Sequence, residues 1–146
     1  YHGGLFQFTR TRGGGEAISY GARSASPTIE DNGTAQLVNG TANVQLDTTF
    51  ARSIDNRQAY QVMLTPDGDT KGLYMASKSP NGFIVREVQG GHSNISFDYH
   101  IYAPSLGQAG ERMTEMTPSE AAAMMPHARM AKQSLPQAPK IKVLHK

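Results

Sequence analysis

The sequence predicts an all-β fold: a small antiparallel β sandwich or meander, with a Gly-rich N-terminal arm, a short C-terminal helix and a mobile basic tail. Two observations predict it. Short β-prone runs recur at about 8 to 12 residue spacing and are bounded by Gly, Pro, Asn and Asp, the pattern of a small sandwich or barrel. The connections between them are also short. Turns of that length close antiparallel hairpins but cannot carry a parallel crossover, which argues against an α/β fold.

Residues 1–29 form the expected arm. Leu5-Phe6-Gln7-Phe8-Thr9-Arg10 and Glu16-Ala17-Ile18-Ser19-Tyr20 are strand-prone and lie on either side of Gly13-Gly14-Gly15. Triple Gly carries little packing surface and has a high ordering cost, so this segment predicts a loose hairpin or extended arm that needs a partner chain to become ordered.

Residues 30–104 form the expected β module. Its strongest local signal is Asn39-Gly40 between Ala35-Gln36-Leu37-Val38 and Thr41-Ala42-Asn43-Val44-Gln45-Leu46. Asn-Gly suits a type I′ turn, which needs positive φ at both central residues. A two-residue turn would set Leu37 opposite Ala42 and Ala35 opposite Val44, with Ala35, Leu37, Ala42, Val44 and Leu46 on one face. Further strands are expected at Tyr60–Thr65, Gly72–Ala76, Phe83–Val88 and Ile95–Ala103, joined by turns at Pro66–Asp69, Ser79–Gly82 and Gln89–Asn94.

Residues 105–146 are expected to be a linker, a helix and a tail. Thr117-Pro118-Ser119-Glu120 is a helix start, with Thr as N-cap and Glu three residues later, and Pro126 should end that helix. The last eleven residues hold Pro136, Pro139, Lys140, Lys142 and Lys146.

Composition narrows the function. With no Cys there is no disulfide scaffold, thiolate metal site or Cys nucleophile. No apolar stretch is long enough for membrane insertion as a helix. Charged residues make up 18%, with a net charge of +2, too weak a balance for a nucleic-acid partner. The charge is uneven, at +2 over residues 1–29, −3 over 30–100 and +3 over 101–146. The chain begins at Tyr1 with no visible signal peptide, which reads as a processed product or a segment of a longer protein.

No motif supplies a catalytic residue, a metal ligand or a cofactor site. Asp67-Gly68-Asp69-Thr70-Lys71-Gly72 resembles half a calcium loop, but Lys71 and Lys78 occupy positions that should carry ligands, so a turn is expected. His100 and Asp98 share a strand face, as an acid/base pair or a solvated surface. Asp47, Asp55, Asp67, Asp69, Glu87 and Asp98 offer carboxylates for a polysaccharide hydrolase, with no pair favoured. Exposed tyrosines, Tyr74 and Tyr102 foremost, could stack on sugars in a carbohydrate-binding adhesion module. Phe83-Ile84-Val85 puts apolar bulk on both faces of one strand. Its second face needs cover from another sheet, the C-terminal helix or another subunit.

The ordered string from Tyr60 to Asp69, Gly72-Leu73-Tyr74, Gly82 to Glu87, Gly90-Gly91 and Phe97 to Ile101 resembles a β module of bacterial surface and phage tail-fibre-like trimeric fibre proteins. The similarity spans about residues 28–104. It implies a non-catalytic structural role, extracellular, at a cell surface or on a virion. The expected partner is the chain itself, as a homo-oligomer and first a homotrimer, with surface glycans as a further partner. Leu5, Phe6, Phe8, Phe83, Ile84 and Val85 are the expected oligomer interface.

Overall fold

The structure, a computed structural model, describes residues 6–124. Leu5 and the expected basic tail lie outside the described residues, as does Pro126. The fold is all-β and antiparallel throughout. β1 (Phe6–Arg10) and β2 (Glu16–Tyr20) pair only with each other, as a two-stranded ribbon. The remaining strands form two three-stranded sheets. The first places β8 (Ser96–Pro104) between β3 (Thr28–Gln36) and β5 (Gln61–Pro66). The second places β7 (Gly82–Glu87) between β4 (Thr41–Gln45) and β6 (Leu73–Ser79).

This order makes a sandwich and excludes a meander. Within the sandwich only β6 and β7 are sequential neighbours in one sheet; the other connections cross from one sheet to the other. Each sheet turns alternate side chains inward. Phe97, Ile101 and Ala103 of the first sheet and Ala42, Val44, Phe83 and Val85 of the second are all buried. Leu37, Leu46, Ile54 and Tyr60 complete the core at the ends of the strands. Phe83 and Tyr99 meet edge to face across the sheets, with ring centroids 5.4 Å apart. Tyr60 ties β5 to the other sheet. Its hydroxyl lies 2.8 Å from the Gly82 carbonyl, and Lys78 Nζ donates to the Tyr60 carbonyl at 2.7 Å.

The Asn39-Gly40 turn forms as its chemistry requires, but its strands do not pair. Both residues have positive φ, 52° and 75°, and Val38 bridges Thr41. Beyond that bridge the chain parts, β3 to β8 and β4 to β7. The loop before β8 captures the turn. Leu37 N–H donates to Ile95 O, Gly40 N–H to Ser93 O and Asn39 N–H to the Asn94 side chain, all at 2.8–2.9 Å. The turn is therefore a corner between sheets. The expected common face of Ala35, Leu37, Ala42, Val44 and Leu46 survives, because all five pack in the one core.

Two helices are short. α1 (Thr48–Ser53) has no counterpart in the sequence expectations; its N-cap Asp47 accepts the Phe50 N–H at 2.8 Å. α2 (Pro118–Met124) starts where expected, with a reciprocal capping box. Thr117 N–H donates to Glu120 Oε2 at 2.8 Å, and the Glu120 N–H points back at the Thr117 hydroxyl. The stretch after β8, expected as a linker, is fastened to the module. Ser105 N–H donates to Pro27 O and Leu106 N–H to Ser53 O, and the compact unit reaches Met113.

Candidate functional site

The ribbon carries exposed apolar side chains on both of its strands. Its loop is closed by Thr11 N–H to Gly15 O at 2.8 Å and by Gly14 at φ 84°. The register sets Phe8 opposite Ile18, Thr9 opposite Ala17 and Gln7 opposite Ser19. The Thr9 and Ser19 hydroxyls bond at 2.9 Å on one face. Phe8, Ile18 and Tyr20 lie on the other and are 66%, 57% and 77% exposed. None of the three belongs to the core cluster. Phe6 holds a register position opposite Tyr20.

Phe83 and Val85 are not available to a partner chain, which corrects the expected interface. They are 1% and 0% exposed within a single chain. The cover that the sequence left open comes from the chain's own first sheet, where Tyr99 packs on Phe83. Ile84 alone turns to the outer face, half-buried, between Asn43 and Ser77 in register.

The two candidate stacking residues also part company. Tyr74 is flanked on β6 by Leu73 and Met75, which pack on the core, so it projects from the outer face of the second sheet. Tyr102 lies between buried Ile101 and Ala103, so it projects from the outer face of the first. They cannot form one platform. Tyr102 stacks on His100 instead, with centroids 4.4 Å apart and planes 4° apart. His100 Nε2 meets Glu30 Oε2 at 2.9 Å, while Asp98 accepts the Thr34 hydroxyl at 2.6 Å. The expected His100–Asp98 pair therefore has other partners on both sides.

Two buried carboxylates hold loops together. Glu87, 7% exposed, accepts the Thr70 hydroxyl and the N–H groups of Lys71 and Ser93, all at 2.8–2.9 Å. The Lys71 N–H leads in holding its carboxyl at about 2 instead of 4.5, helped by the Ser93 N–H and opposed by burial. The stretch from Asp67 to Gly72 is thus a turn pinned by Glu87. Asp55, 4% exposed, pairs with Arg57 Nη2 at 2.6 Å and accepts the N–H groups of Gly107 and Ala109 at 3.0 and 3.3 Å. The Arg57 guanidinium, aided by the Arg57 N–H, keeps its carboxyl well below the usual range. A glycosidase acid needs a carboxyl that stays protonated, and both of these are shifted the other way. Among the described residues there is no group of three or more side chains placed to hold a metal ion.

Neither clamp was foreseen from sequence. Glu87 did carry a signal: it continues the inward alternation of Phe83 and Val85, where an acid must find donors. Asp55 carried only the nearby Arg57, because its partners at 107 and 109 are distant in the chain. No protein-family model matches the chain, and no curated protein is significantly similar to it.

Proposed function

We propose that this chain is a self-associating structural β module of an extracellular fibre or filament. The apolar face of the β1–β2 ribbon carries the reading. A two-stranded ribbon is marginal in water, and this one leaves Phe8, Ile18 and Tyr20 exposed on one side. The occupant is a second copy of the chain. Residues 1–29 carry +2 and residues 30–100 carry −3, so an arm is attracted to the body of a neighbour. The trimer and the extracellular setting rest on the resemblance of residues 28–104 to fibre modules. Of the expected interface, the ribbon is kept, and Phe83 and Val85 are dropped because they are buried within one chain.

Light scattering on the full chain tests it. An oligomer is expected, and Ile18→Ser with Tyr20→Ser should shift it to monomer without lowering the melting temperature of the sandwich. A chain that stays monomeric at high concentration overturns the reading.

A further inference from the structure

We propose that the cleft where the starts of β3 and β5 meet the segment after β8 binds a hydroxyl-rich ligand of the saccharide class. The cleft holds about 250 Å3. It is lined by Tyr102, by Gln58, Gln61 and Gln108, and by Glu111 and Arg112. Each glutamine amide offers two donors and an acceptor, the carboxylate only accepts and the guanidinium only donates. Among the described residues, none of the three glutamine amides is drawn into a hydrogen bond with the protein.

That inventory selects the ligand class. The charges of Glu111 and Arg112 cancel, so neither an anion nor a cation is favoured outright. What remains is three glutamine amides and the Glu111 carboxylate, planar groups that can each engage two neighbouring hydroxyls. Most small-molecule sites are lined chiefly by apolar side chains, and this one is not, so a ligand that is itself polar over most of its surface suits it. Tyr102 adds a flat apolar surface for the C–H face of a sugar ring. Its orientation is fixed by the His100 ring stacked upon it at 4.4 Å.

The wall is built before any ligand arrives. Asp55 holds the Gly107 and Ala109 N–H groups, Ser105 N–H is tied to Pro27 O at 3.1 Å, and Met113 N–H to Ala25 O at 2.8 Å. Gln108 N–H to Ser105 O and Glu111 N–H to Gln108 O tighten the turn between. A loop already ordered loses little entropy on binding. The proposal stands whether or not the chain self-associates.

The test is an amide-shift titration of the isotope-labelled full chain with the methyl glycosides of glucose, galactose, mannose and N-acetylglucosamine, with ADP and inorganic phosphate as separate arms. Saturable shifts at residues 107–112 and around Gln61 are expected for at least one glycoside. Gln61→Ala and Glu111→Gln should each weaken it about tenfold, as expected for a lost hydrogen bond. Both side chains are exposed, so the melting temperature should not change. Tyr74→Ala, on the other outer face, should bind as the parent does. The proposal falls if no glycoside gives saturable shifts, if only ADP or phosphate does, or if glycoside binding survives both cleft substitutions.

Discussion

The β1–β2 ribbon and the β6–β7 hairpin are made of the same material and differ in what lies opposite them. Both are antiparallel pairs with a short loop and an alternating apolar face. In the hairpin that face holds Phe83 and Val85, covered by β8 and β5 of the other sheet. In the ribbon it holds Phe8, Ile18 and Tyr20, and those side chains stay exposed. Alternation decides which side chains share a face. Whether the face is buried depends on a second sheet, and only the region from β3 to β8 supplies one. Burial contributes roughly 25 cal/mol per Å2 of apolar surface, so the hairpin collects a stabilisation that the exposed face of the ribbon does not.

The contrast is broken most sharply in the core. Phe83→Ala should cost about 3–5 kcal/mol by chemical denaturation, since the lost ring leaves a cavity beneath Tyr99. Val85→Asp should prevent folding, because the new carboxylate has no partner at a site with 0% exposure. Any loss of assembly in these variants would follow from loss of the fold. A Phe83→Ala protein as stable as the parent would put Phe83 outside the core.

The corner at Asn39-Gly40 comes next. Gly40 has φ 75°, and a Cβ there would collide with the Gly91 carbonyl. Gly40→Ala should cost about 1–3 kcal/mol in thermal unfolding, through strain and displacement of the loop that captures the turn. Such a loss would show that the two sheets are held in register at this corner.

How much of this was legible in the sequence follows from the range of each interaction. Alternation placed the core face of β4, with Ala42, Val44 and Leu46 inward, and Thr117 with Glu120 marked α2, because those signals lie within a few residues. Asn39-Gly40 gave the turn correctly and the pairing wrongly. The turn depends on two dihedral pairs, whereas pairing depends on Ile95, Ser93 and Asn94, more than fifty positions away. The apolar Phe83-Ile84-Val85 run called for cover without saying whose, and the chain's own first sheet provides it. The cleft was hidden for the same reason: Gln58, Gln61, Gln108 and Glu111 come together only after β5 and the segment following β8 are folded against each other.

A smaller effect separates the regions by pH. Glu87 titrates at about 2 in the fold against 4.5 in the open chain, and Asp55 is shifted down in the same sense. Between those values the unfolded state binds more protons. The stabilisation is therefore complete above pH 4.5 and fades as pH falls toward 2. Thermal melts should show the sandwich losing stability over that window. Glu87→Gln should melt lower than the parent at pH 7, with the gap narrowing as the acid range is entered. A constant gap would mean that the Glu87 charge plays no part in pinning the 67–72 and 88–94 loops.

The smallest effect on stability is expected in the ribbon, and it is the most informative about function. Ile18→Ser removes an exposed side chain, so the melting transition of the sandwich should move by less than about 0.5 kcal/mol. Hydrogen exchange then separates intrinsic from borrowed order. In dilute protein the amides of Phe8 and Ile18 should exchange far faster than those of Phe97 and Ile101, which lie at the centre of the first sheet. Raising the concentration should slow exchange in the ribbon and leave the sandwich unchanged, if neighbours cover the ribbon's apolar face. Ile18→Ser should abolish that concentration dependence. Ribbon protection that is high in dilute solution and indifferent to concentration would mean that the ribbon is stable on its own, and would remove the reason for assigning it a second copy.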